Sequence, residues 1–118
     1  MNKEDLQRRT RQFALNVIRL VEELPRGQVA GVLGQQLLRA GTSVGANYRA
    51  ACRAKSPADF IAKMGIVEEE LDESLYWMEL LVESRTTRQD RVADLAKEAN
   101  ELLAIAVASI KTARSRRI

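Results

Sequence analysis

Residue types able to do chemistry are scarce in this chain, and the shortage begins with histidine, which is absent. Without an imidazole, no serine, threonine or cysteine has the usual base to activate it near neutral pH. The single cysteine, Cys52, allows no intramolecular disulfide and no thiolate metal cluster. Its neighbours Ala50, Ala51, Arg53 and Ala54 suit a small buried hydrophobe on a helix. Carboxylates gather in Glu68-Glu69-Glu70-Leu71-Asp72-Glu73, where Glu69 and Glu73 share a helix face. Di-iron bundles complete such glutamates with Glu-x-x-His pairs, which this chain cannot supply. An all-carboxylate magnesium or manganese site is the alternative to a solvated acidic face with one member turned inward, and the face is the expectation. Gly41-Thr42-Ser43-Val44-Gly45 is glycine-flanked like a phosphate loop but lacks the Gly-Lys-Ser/Thr ending that delivers the lysine and the metal ligand. Neither catalytic residues nor a bound metal or cofactor are expected.

Charge is more informative. Residues 1–56 hold ten basic and four acidic side chains, residues 57–84 one and eight, and residues 85–118 eight and four. The overall +3 therefore conceals strong segregation. The cations gather in Arg8, Arg9 and Arg11, in Arg49, Arg53 and Lys55, and in Lys111, Arg114, Arg116 and Arg117. These ten are the candidate nucleic-acid-binding residues, and arginine's predominance suits bidentate phosphate contacts. Only Tyr48 lies near them as a base-stacking aromatic, so recognition of backbone or shape is expected rather than of sequence. The alternatives are pairing of the basic end with the acidic segment of another subunit, or solubilising tails.

The elements that must position these residues are helices. Hydrophobic residues make up 46% and aromatics only 4%, with two prolines in 118 residues. Leu6, Phe13, Val17, Leu20, Val21 and Leu24 form one stripe of a first helix from Lys3 to Leu24, closed by Pro25. The second spans Gln28 to Arg53 with Val29, Leu33, Leu37, Ala40, Val44, Tyr48 and Ala51 in line. Its four glycines predict either a break or a close helix–helix approach. Ser56 and Pro57 open a third helix that follows a heptad pattern through Phe60, Met64, Val67, Leu71, Ser74, Met78 and Leu81 to near Ser84. Its second apolar set includes Tyr76, Trp77 and Leu80, more than one bundle needs, and these three are the expected oligomer interface. Thr86 or Thr87 should cap a fourth helix, with Gln89 or Asp90 closing the reciprocal pair. The fold expected is all-α, an antiparallel up-down four-helix bundle forming a single domain over 1–118. That topology brings all three basic clusters to one pole. The first twelve residues are charged and make no secretory signal, and no apolar run approaches the ~18 residues of a span. A cytoplasmic protein without membrane contact is the expectation.

The stretch Gln36-Leu37-Leu38-Arg39-Ala40-Gly41-Thr42-Ser43-Val44-Gly45-Ala46-Asn47 resembles the four-helix-bundle proteins encoded by intervening sequences of 23S ribosomal RNA genes. Leu24-Pro25, the segments 48–56 and 58–64, and Glu70 to Met78 add to the resemblance, which covers the first three helices and fades in the fourth. It implies an up-down bundle assembled as a homopentamer. It also implies kinship with the accessory proteins of diversity-generating retroelements, basic bundles that partner a reverse transcriptase and its RNA. Carried onto this chain, it implies that Arg39, Asn47 and Glu70 form a polar network inside or between bundles. The function expected is an oligomeric adaptor binding RNA or DNA, with a reverse transcriptase as a partner. A structural or protein-interaction module without nucleic acid is the alternative.

Overall fold

The computed structural model describes residues 1–116. Four helices follow one another: α1 (Lys3–Glu22), α2 (Gln28–Cys52), α3 (Pro57–Glu83) and α4 (Gln89–Ser115), with no strand among the described residues. Short connections force each helix to run antiparallel to its predecessor, giving an all-α up-down bundle of 50 × 20 × 20 Å. No helix among the described residues is long and apolar enough to cross a membrane.

Two of the four helices, α1 and α3, open on a side-chain cap. Asn2 opens α1 by accepting the Asp5 amide at 2.9 Å, and the Asp5 carboxylate accepts the Asn2 amide at 3.3 Å, so two orphan donors are satisfied reciprocally. Ser56 opens α3 in the same way through the Asp59 amide at 3.1 Å, with Pro57 at the first helical position. The start of α4 departs from expectation. Its N-cap is Arg88, whose side chain makes no capping bond, and neither Thr86 nor Thr87 serves. The threonines close α3 instead: the amides of Thr86 and Thr87 both reach the Leu81 carbonyl, and that of Arg85 reaches Val82. Arg85 sits in the left-handed region at φ 62, making a Schellman turn without the usual glycine.

Helix α2 runs unbroken through its four glycines, so the close-approach reading holds at three of them. A β-carbon at Gly41 would stand 2.7 Å from Val17 Cγ2, and those at Gly34 and Gly45 would meet Leu24 and Thr10 at 3.2 and 3.3 Å. These contacts press α2 onto α1. Gly31 has nothing nearby. The core is built on Phe13, Val17, Leu37, Val44, Met64, Leu71, Met78, Leu81, Ala99 and Leu102, all at most 3% exposed. Val29, expected in the α2 stripe, is 56% exposed, and Ala30 is buried in its stead.

Candidate nucleic-acid interface

The antiparallel course sets the start of α1, the end of α2, the start of α3 and the end of α4 at one pole. There α1 and α2 enclose a cleft of about 550 Å3. Lys3 and Arg11 form the α1 wall, Arg49 and Arg53 the α2 wall, and Ala14, Gly45 and Ala46 keep the space between them open. Cys52 lines it too, and no carboxylate does. Among the described residues none of these four cations makes an ion pair. Gln7, Thr10 and Thr42 add neutral polarity. Thr42 donates its hydroxyl proton to the Leu38 carbonyl at 2.7 Å, and Thr10 to that of Leu6 at 2.8 Å. Thr10 is buried, so the Thr42 oxygen is the one that offers lone pairs to the cleft, which suits a ligand hydroxyl or amine better than a phosphate oxygen. A second cleft of about 600 Å3 shares Lys3 and Cys52 with the first and extends past Lys55 and Phe60 to Arg116.

The pole thus brings together five of the ten expected cations, Arg11, Arg49, Arg53, Lys55 and Arg116, and adds Lys3. Arg8 and Arg9 are engaged elsewhere. Arg8 pairs with Asp5 at 2.5 Å. Arg9 crosses to α4, where its Nη2 meets Glu98 at 2.6 Å and Glu101 at 3.3 Å and its Nε meets Glu98 at 2.9 Å. The Glu98 hydrogen bond holds the guanidinium firmly charged, above its ordinary range. Arg9 is a clasp between the first and last helices, already neutralised, and not a free phosphate ligand. Lys111 and Arg114 are exposed on α4 but line neither cleft. At about 100° per residue, Arg114 points roughly 160° away from Arg116. Arg117 lies outside the described residues. Tyr48 is only 7% exposed, its ring held in the core, so it offers no face for base stacking. Burial first, and then a bond with Cys52, raise its pKa and keep the phenol neutral.

Lys3 stands outside every run of adjacent cations. The signal that finds it is helical spacing: Lys3, Gln7, Arg11 and Ala14 step along one side of α1, whereas the consecutive pair Arg8-Arg9 diverges.

The polar network takes a different form from that implied by the resemblance. Arg39 Nη1 reaches Glu70 at 3.1 Å, and its Nη2 reaches Glu73 at 2.5 Å. Asn47 stands two turns away on α2 and donates to its own helix, at the Ser43 carbonyl 2.8 Å off. Within the chain the network is therefore Arg39, Glu70 and Glu73. Glu70 is the buried member, at 9%. Of the expected interface residues, Tyr76 is 52% exposed and packs edge-on against Trp77 with centroids 5.1 Å apart. Trp77 and Leu80 are half-buried, and the buried Trp77 Nε1 has no hydrogen-bond partner among the described residues. No group of three histidine, cysteine or acidic side chains there could hold a metal ion.

Comparison with known proteins adds the lineage. No curated protein matches. Among solved structures, a protein of unknown function from the S23 ribosomal protein family of Bacteroides thetaiotaomicron superposes with a TM-score of 0.87 at 32% identity, over 94% of this chain and 99% of that one. The family model of the 23S rRNA-intervening sequence protein matches residues 2–108, a span that takes in all of α1 to α3 and most of α4. The chain belongs to the family of 23S rRNA-intervening sequence proteins.

Proposed function

We propose that this chain is a non-catalytic, homo-oligomeric adaptor of the cytoplasm that binds RNA through the basic pole. The observation that carries the reading is the α1–α2 cleft, whose four cations face one another with no carboxylate among them. In such a cleft the fields add, and a polyanion gains both the attraction and the entropy of released counterions. Lone-pair-bearing Thr42 complements a ribose hydroxyl, which phosphate alone does not offer. The family's link to ribosomal RNA genes supports RNA as the ligand. Assembly as a pentamer and partnership with the reverse transcriptase of a retroelement are the finer parts of the proposal, and they rest on the family resemblance.

Filter binding of RNA over a salt series tests the reading. Four phosphates neutralised on a single strand predict that log K falls with log salt at a slope of about −3. The double substitution Arg49→Glu with Arg53→Glu should abolish binding while leaving the helical content unchanged. Absence of binding even at low salt would reject the adaptor. The second reading, a protein-interaction module, is favoured by the exposed Val29, Val32, Ile66 and Tyr76 on α2 and α3. It predicts assembly without any affinity for RNA.

A further inference from the structure

We infer that the α1–α2 cleft takes a single polynucleotide strand by its backbone and excludes a duplex; the inference rests on the RNA-binding reading above. The cleft's cross-section is set by two helices in close contact. At Gly41 and Gly45 a β-carbon would already stand 2.7 and 3.3 Å from α1 side chains, so the axes lie at the near end of the usual spacing of about 8–10 Å. The groove above such a seam, with its cations on both walls, seats one strand. A duplex could only rest across its rims, touching the outermost cations and leaving those within unpaired.

The length agrees. Lys3 and Arg11 are eight residues apart on α1, about 12 Å, and Thr42 to Arg53 on α2 spans about 16 Å. At a stacked rise of about 3.4 Å per nucleotide, this holds roughly four nucleotides. Cations stand on both walls, so phosphates threading the trough are contacted from either side. The cleft has no exposed aromatic, because Tyr48 is buried, so the bases would project to solvent and the contact would be indifferent to sequence. Ala46, exposed on the cleft surface, leaves room for the strand without adding charge.

Ala46 also supplies the test. Fluorescence anisotropy would compare a labelled twelve-nucleotide RNA without self-complementarity against the same strand annealed to its complement. The single strand should bind at least tenfold tighter at equal salt. Ala46→Leu fills the trough, leaves every charge in place and alters no buried contact. It should weaken single-strand binding at least fivefold at an unchanged thermal midpoint, while Ala104→Leu, exposed on α4, should leave it unaltered. Equal or tighter binding of the duplex, or a silent Ala46→Leu, overturns the single-strand inference and leaves the RNA-binding reading standing. Failure of both RNAs to bind overturns the two together.

Discussion

Two residues test the packing account most directly. Val17 is fully buried and stiff at χ1, so it cannot yield to a methyl group at Gly41 placed 2.7 Å from its Cγ2. Gly41→Ala should destabilise by about 1–3 kcal/mol, the usual cost of overpacking. Gly31→Ala, with open space around it, should stabilise by up to about 1 kcal/mol through helix propensity. Urea midpoints moving in opposite directions would bear this out; a neutral Gly41→Ala would refute it. Arg39 gives a second prediction. Its side chain is half in solvent, so the ion pair itself is worth under about 1 kcal/mol. Arg39→Ala nevertheless leaves the buried Glu70 carboxylate short of a partner, at about 1–2 kcal/mol, and adding Glu70→Met should restore the loss. If the double variant is no more stable than Arg39→Ala, the buried-carboxylate account is wrong. At this scale the sequence was partly legible. Glycine spacing left a break or a close approach open, and the resemblance implied a network that included Arg39 and Glu70. Neither could show that Arg39 turns its second nitrogen to Glu73 while Asn47 bonds back to its own helix at Ser43.

Helix ends expose what periodicity leaves open. Ser56-Pro57 and the α1 and α2 boundaries read correctly to within two residues, because capping chemistry and 3.6-residue spacing are local. The α3–α4 junction did not. Thr86 and Thr87 are equally competent to close one helix or open the next, and only the Schellman turn decides it. The same junction therefore holds two correctable weaknesses. Arg85→Gly should relieve the left-handed conformation, and Arg88→Ser should supply the missing cap, each raising stability by roughly 1 kcal/mol in chemical denaturation. Additive gains are expected, and a loss from either substitution would contradict the assigned geometry. The intact caps predict the acid limit. Lys63 and the Lys55 amide hold the Asp59 carboxyl below its ordinary value of 3.8, and the Asn2 amide and Arg8 do the same for Asp5. A depressed folded pKa contributes stability that is complete above the unfolded value and is lost as pH falls through the folded one. Thermal midpoints should hence hold level through neutrality, where no histidine titrates, and decline as pH drops below about 4. An Asp59→Asn variant should lose part of that acid sensitivity.

Across the whole molecule, two kinds of surface compete to carry the proposed assembly. The basic pole could pair with the acidic outer side of α3, or copies could meet along the apolar residues exposed on α2 and α3. The sequence pattern points to the basic clusters and to Tyr76, but it sets Val29 in the core stripe, and only the packing exposes Val32 and Ile66. Sequence could not separate the two surfaces, since charge counts along the chain say nothing of which cations are already spent, as Arg9 is on Glu98. The structure distinguishes the two routes by their physics. Val29, Val32, Ile66 and Tyr76 are each 41% exposed or more, and Arg39 with its two glutamates bridges the helices that carry them. Burying such residues is worth about 25 cal/mol per Å2 and is nearly indifferent to salt, whereas pole-to-α3 pairing would be screened within about 10 Å at 0.1 M. Light scattering should accordingly report the same oligomer from about 50 to 500 mM salt, while RNA affinity falls over that range. Val32→Ser with Tyr76→Ser should shift the oligomer toward monomer without loss of helix, and the monomer should still bind a short RNA through its own cleft. Dissociation by salt, or displacement of subunits by added RNA, would instead assign assembly to the basic pole, because one set of cations cannot serve both partners at once.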